Sequence, residues 1–137
     1  MKMDDCIFCK IANGEIPSST IYEDDDFRVF LDLGPATRGH ALLVPKDHYA
    51  NVFELDDEIA KKAILVAKKV GAKMKEALGC DGLNLVQNNG EAAGQTVFHF
   101  HLHLIPRYKD DNAGITWNPG EVSAEEREKL VALLTRE

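Results

Sequence analysis

His99-Phe100-His101-Leu102-His103-Leu104-Ile105 is the stretch on which the reading of this chain turns. Histidine alternates there with apolar residues at a period of two. That is the pattern of a half-buried strand, because successive side chains of an extended backbone point to opposite sides. A strand from Val97 to Ile105 would carry its three imidazoles on one face, about 6.6–6.8 Å apart, and send Phe100, Leu102 and Leu104 into a core. The whole protein has 5 histidines, so composition does not explain three of them within five residues. Threonine, lysine or glutamate fill the solvent side of an ordinary strand more readily. The row therefore reads as chemistry.

Outward from the row, the elements alternate with turn signals. Leu83 to Gln87 reads as the preceding strand, joined to the row by the glycine-rich stretch Asn88 to Thr96. Thr20–Glu23, Phe27–Asp32 and His40–Val44 read as three more strands. The acidic turn Glu23-Asp24-Asp25-Asp26 and the segment Leu33 to Gly39 separate them. Between the two groups, Leu55 to Leu78 places Ile59, Ala63, Val66, Val70, Met74 and Ala77 on one helical face, with Asp56 as N-cap and Gly79 as the stop. Phe8, Ile11 and Ala12 are spaced for a short helix ended by Asn13-Gly14. Ser123-Ala124-Glu125-Glu126 is a capping box that opens a last helix carrying Leu130, Leu133 and Leu134. Strands grouped around one long helix imply an α+β fold: an antiparallel five-stranded sheet with one long helix and short terminal helices.

Composition narrows the functions. A chain of 137 residues, 45% hydrophobic and 28% charged, suits a single globular domain spanning 1–137. A net charge of -7 disfavours a nucleic-acid polymer as partner, and the lysines of the long helix read as its solvated face. No stretch approaches the ~18 consecutive apolar residues of a membrane span, so no membrane partner is expected. Met1 to Asp5 shows no signal-like apolar region, which leads to the expectation of a cytoplasmic protein. Of 3 cysteines, two form Cys6-Ile7-Phe8-Cys9, a spacing for metal or redox chemistry. Cys80 has no partner in this scheme and reads as a small, buried or half-buried residue.

Two chemistries fit a histidine row. His-x-His can ligate a catalytic metal with an open position. Alternatively, one imidazole attacks phosphorus and forms a phospho-histidine, provided a hydrogen bond holds one ring nitrogen so that the other presents its lone pair. The preceding loop favours the second, because backbone N–H groups at Gly90 and Gly94, with Gln95 and Thr96, could cradle phosphate oxygens.

The run Gly94-Gln95-Thr96-Val97-Phe98-His99-Phe100-His101-Leu102-His103 resembles the signature of the histidine triad family. The likeness extends to Ile7-Phe8, Glu15-Ile16-Pro17, Phe30-Leu31-Asp32, Gly39-His40 through Pro45-Lys46, and Asn88-Asn89-Gly90. It covers nearly the whole chain except the last helix, on the nucleotide-binding branch of the family. The resemblance implies hydrolysis or transfer at the α-phosphate of a purine nucleotide, through a nucleotidyl-histidine intermediate on His101. The substrate would be a phosphoramidate, an adenylated metabolite or a dinucleotide polyphosphate. The resemblance makes His103 and His40 phosphate-side partners and puts Gln95 and Thr96 at phosphate or leaving-group oxygens. On the same resemblance Asp32 would take the ribose hydroxyls and Asn88 would position His101 or an α-phosphate contact, a strand-end turn residue being the other reading of Asn88. Phe8, Ile11, Phe30 and Leu33 wall the base, plain core packing being the other reading of these four.

With the triad so assigned, Cys6 and Cys9 require two further ligands for a closed tetrahedral zinc site. His48 and His99 remain for it, as in a subset of bacterial relatives. The resemblance also implies a homodimer joined at the long helix and the strand before it. A non-catalytic nucleotide-binding regulatory module and a catalytic-metal hydrolase stand as the alternative functions.

Overall fold

In the computed structural model, which describes residues 2–136, the elements run in the order α1 (Ile7–Ala12), β1 (Thr20–Glu23), β2 (Phe27–Leu31), β3 (Ala41–Pro45), α2 (Asp57–Leu78), β4 (Gly82–Val86), β5 (Leu102–Arg107) and α3 (Ala124–Thr135). Met1 and Glu137, the ends of the span expected for the domain, lie outside the described residues. The strands form one five-stranded antiparallel sheet in the order β1-β2-β3-β5-β4, and with the helices they make the expected α+β fold.

Alternation along the strands sorts side chains between two layers. Phe27 and Val29 of β2, Ala41 and Leu43 of β3 and Leu104 of β5 face α2, which offers Ala63, Val66, Ala67, Val70 and Met74. Phe30, Leu42 and Val44 face the other way, under Phe8 and Ala12 of α1. β3 is therefore buried at every position, which accounts for its continuous apolar sequence. The caps of α2 are as expected: the Asp56 carboxylate accepts from Glu58 and Ile59 N–H at 3.1 Å, and Gly79 closes the helix at φ 63°. Ala77 is exposed and borders an open cleft beside β1, while Ala67 and Gly71 join the buried stripe. Among the described residues no helix is long and apolar enough to cross a membrane. Cys80 is half-buried.

Two expectations are corrected. The histidine row is not one strand: the chain bends at 97–99 and β5 begins only at Leu102. The amide of Phe100 donates to Tyr49 O at 2.6 Å, outside the sheet ladder, and His99 turns toward the N-terminal cysteines. A period-two pattern does not separate a strand from a bent segment whose histidines serve different centres. The second correction concerns the dimer. The strand before α2 is β3, which pairs on both sides and has no free edge, whereas β4 ends the sheet beside α2. Helix α3 has Ser123 as its N-cap, with Glu126 N–H donating to Ser123 Oγ at 3.1 Å, and buries none of its residues.

Candidate functional site

The sheet register builds the floor of the site. Phe30 pairs with Leu42 and Leu42 with His103, so these three stand in a row across β2, β3 and β5 on the face away from α2. Above them lies a cavity of about 690 Å³. Of the residues expected there, Phe8, Ile11, Phe30, Asp32, Leu33, Thr96, His101 and His103 line it. The sequence reading missed Ile16, Pro17, Ser18 and Ser19, which form one wall. Pro17, which follows the Asn13-Gly14 end of α1 at a short distance, was the available signal, since its fixed φ favours extended chain over a continued helix.

His101 is held by main chain. Its Nδ1 lies 2.7 Å from His99 O. A carbonyl only accepts, so Nδ1 carries the proton and Nε2 keeps a lone pair. The Phe8 ring meets the imidazole edge-on at 5.0 Å and 88°. The one fully buried side-chain nitrogen or oxygen without a partner among the described residues is Arg28 Nε. His101 Nε2, which has no partner among the described residues, is therefore reached by solvent from the cavity.

His40 lies behind His103 rather than in the cavity wall, with Nε2 2.9 Å from His103 Nδ1 and 3.6 Å from an Asp32 oxygen. The other Asp32 oxygen accepts from Gly34 N–H at 2.8 Å, leaving one face of the carboxylate toward the cavity. Burial lowers the pKa of every histidine in this group. His103 falls to about 4 through burial and the neighbouring His101 and His40. His101 also falls through burial, against the opposing His99 carbonyl, and His40 through burial, opposed by Asp32. The neutral imidazoles that hydrogen bonding requires are thus the stable forms near neutrality.

The loop before the bend is organised differently from the expected phosphate cradle. Gly90 N–H donates to Gln95 Oε1, Gly94 N–H to Glu91 O and Gln95 N–H to Gly90 O, so the glycine amides are spent inside the loop. The Gln95 amide is also fully committed, to Ala50 O at 2.7 Å and Val97 O at 3.0 Å, and the residue is buried away from the cavity. Gln95 holds the loop. The Asn88 side chain lies beside Gly94 and does not line the cavity. Thr96 lines it, with no hydrogen bond to the described residues.

A second cluster sits on the other side of the bend. Cys6 Sγ and Cys9 Sγ lie 3.2 and 3.4 Å from His99 Nδ1, and Cys9 Sγ lies 3.5 Å from His48 Nδ1. One ligand atom from each of the four lies within 4.8 Å of every other. The S···N edge of a tetrahedral Cys₂His₂ site is about 3.5 Å for metal–sulfur and metal–nitrogen bonds of about 2.3 and 2.0–2.1 Å. His99 Nε2 donates to Pro45 O at 2.9 Å, which leaves Nδ1 unprotonated and aimed at both thiols. The donor set and the His99 tautomer fit a metal ion.

A family model described as the HIT domain matches residues 13–110. "Protein hit" of Bacillus subtilis is 47% identical over 115 residues, covering 83% of this chain and 79% of that protein. "Adenosine 5'-monophosphoramidase hnt1" of Schizosaccharomyces pombe is 40% identical over 126 residues, covering 91% and 92%. A HIT family protein from Bacillus anthracis has a crystal structure with a TM-score of 0.88 at 43% identity, covering 96% and 95%. A zinc-bound histidine triad family protein from Mycobacterium smegmatis gives a TM-score of 0.77 at 37% identity, covering 95% of each chain. By its paired histidine centres, its sheet and these matches, the chain belongs to the HIT domain, or histidine triad, family.

Proposed function

We propose that the protein hydrolyses or transfers at the α-phosphate of a purine nucleotide, by way of a nucleotidyl-histidine on His101. The observation that carries this is the 2.7 Å bond from His101 Nδ1 to His99 O, which leaves the Nε2 lone pair facing a cavity of nucleotide size. Nε2 attacks phosphorus and the bond from phosphorus to the leaving group breaks. The departing amine or oxygen takes a proton from solvent in the cavity. Water then displaces the imidazole, returns a proton to solvent, and the nucleoside monophosphate leaves. In this reading Thr96 and His103 meet phosphate oxygens, Asp32 accepts from the ribose hydroxyls, and Phe8, Ile11, Phe30 and Leu33 wall the base. His40 and Gln95 act from behind, on His103 and on the loop, and Asn88 supports the loop at Gly94. The yeast relative's name, a monophosphoramidase, points to a phosphoramidate among the possible substrates.

Cys6, Cys9, His48 and His99 would hold zinc, which ties the N-terminal segment to the sheet as a structural cross-link. The free edge of β4, with half-exposed Leu83 and Leu85 beside the groove along Gly71 and Lys68 of α2, is the surface proposed for a homodimer. Catalysis by a metal ion is the second reading, and one observation favours it: Asp32, His40 and His103 also gather their ligand atoms within 4.8 Å.

Rapid quench separates the two. A nucleotide substrate labelled at the α-phosphate should leave acid-labile, base-stable label on the wild-type protein and none on His101→Ala. Turnover by that variant should fall by several orders of magnitude while nucleotide binding persists. Absence of label, with activity that tracks a chelatable metal in a protein that stays folded, would overturn the proposal.

A further inference from the structure

Main chain also fixes the protonation of the second pair of histidines. Ala36 N–H donates to His40 Nδ1 over 2.9 Å. A backbone amide only donates, so Nδ1 keeps its lone pair and the single proton of neutral His40 sits on Nε2. Nε2 faces His103 Nδ1 at 2.9 Å and donates to it. His103 in turn holds its own proton on Nε2, an atom with no partner among the described residues that opens to the cavity. We propose that the Ala36 amide, acting through His40, is a positioning group that makes His103 a neutral hydrogen-bond donor toward the substrate's phosphate oxygens. The inference rests on the reaction proposed above for its use in turnover, not for the tautomers themselves.

The two cavity-facing imidazoles, with ring centroids 5.2 Å apart, thereby acquire opposite polarity. His101 shows the cavity a lone pair and His103 an N–H. One serves attack on phosphorus and the other the charge that builds on oxygen. The loop that aims Ala36 is pinned at several points. Asp32 N–H donates to His40 O at 2.9 Å, His40 N–H to Thr37 O at 3.2 Å, and the Thr37 hydroxyl to Pro106 O at 2.6 Å. The same bond bears on the metal reading of Asp32, His40 and His103. An ion on His40 Nε2 would force the ring proton onto Nδ1, where the Ala36 N–H already points, setting donor against donor.

Long-range proton–nitrogen correlation spectra of the zinc-loaded protein, labelled with ¹⁵N-histidine and free of nucleotide, read the tautomers directly. His40 and His103 should both carry the proton on Nε2, and His101 on Nδ1. A proton on Nδ1 of either His40 or His103 overturns the proposal. Ala36→Pro removes the amide hydrogen, so His40 should become a mixture of tautomers and kcat on a nucleoside phosphoramidate should fall roughly tenfold with KM little changed. His40→Gln can place an amide N–H where Nε2–H stood, so it should retain more kcat than His40→Ala; equal losses in the two variants count against the positioning role. A protein that turns over no phosphoramidate refutes the reaction assigned to His101, while the spectra still decide the tautomers.

Discussion

Asp32 divides its two oxygens between two neighbours and lines the cavity as well. One oxygen fixes Gly34 N–H at 2.8 Å, and the other lies 3.6 Å from His40 and borders the cavity where a ribose would lie. Replacing it with asparagine keeps an acceptor for Gly34 and removes the charge, so the loop should survive. Asp32→Asn should weaken a ribonucleotide roughly tenfold or more and hardly change binding of its 2',3'-dideoxy analogue, because the analogue offers no hydroxyls to lose. Calorimetric titration with both ligands checks this, and equal losses would remove Asp32 from the ribose. Residue type and spacing singled out three histidines in five positions and two cysteines three apart, whereas Asp32 entered only through the resemblance to the family. The division of labour was not legible. Gln95 looked like a phosphate ligand because amides often are, yet its bonds to Gly90, Ala50 and Val97 consume it. Only coordinates reveal a donor already spent.

The elements divide in the same way. Helix α2 could be read to its caps because an N-cap aspartate and a C-terminal glycine act locally. The start of β5 could not, because what bends the chain at 97–99 is distant: Pro45 and Tyr49, which take hydrogen bonds from His99 and Phe100, and Cys6 and Cys9, which face His99. Six-residue α1 illustrates the dependence. A helix that short is not stable by itself in water, and α1 is kept by burial of Phe8, Cys9 and Ala12, to which the zinc proposed on Cys9 would add a cross-link. Cys9→Ser should abolish zinc retention and lower the thermal midpoint by roughly 10 °C or more, in the class of losses caused by removing a structural metal. Atomic emission and differential scanning calorimetry check both. A variant with a full complement of zinc would take Cys9 out of the site.

At the scale of the whole molecule the buried histidines make stability depend on pH. His103 has a pKa of about 4 in the fold against an ordinary 6.5, and His40 is displaced in the same direction, both chiefly by burial. Below 6.5 the unfolded chain takes up protons that the folded one refuses. Stability from these groups is therefore complete above 6.5 and is lost as the pH falls toward 4. The carboxylate of Asp111, held down by its bonds to Arg107, gives up its contribution only at still lower pH. The thermal midpoint of wild type should drop by about 5 °C or more between pH 7 and pH 4.5, and His103→Asn should flatten that slope. Parallel slopes in the two proteins would show that His103 is not a source of the effect. A different consequence follows from how the cavity imidazoles are aimed. The carbonyl of His99 sets one and the amide of Ala36 sets the chain that ends in the other. Both are peptide groups, and every amino acid that can occupy position 99 supplies the same carbonyl. An alanine scan cannot remove either peptide group: residue 36 is already alanine, and at position 99 the scan deletes the imidazole bonded to Pro45 while the carbonyl itself persists. Inheritable variation can reach the first only by rerouting the chain, and the second by that or by proline, so the orientation of the chemistry is shielded from most single-codon change even where the side chains around it drift.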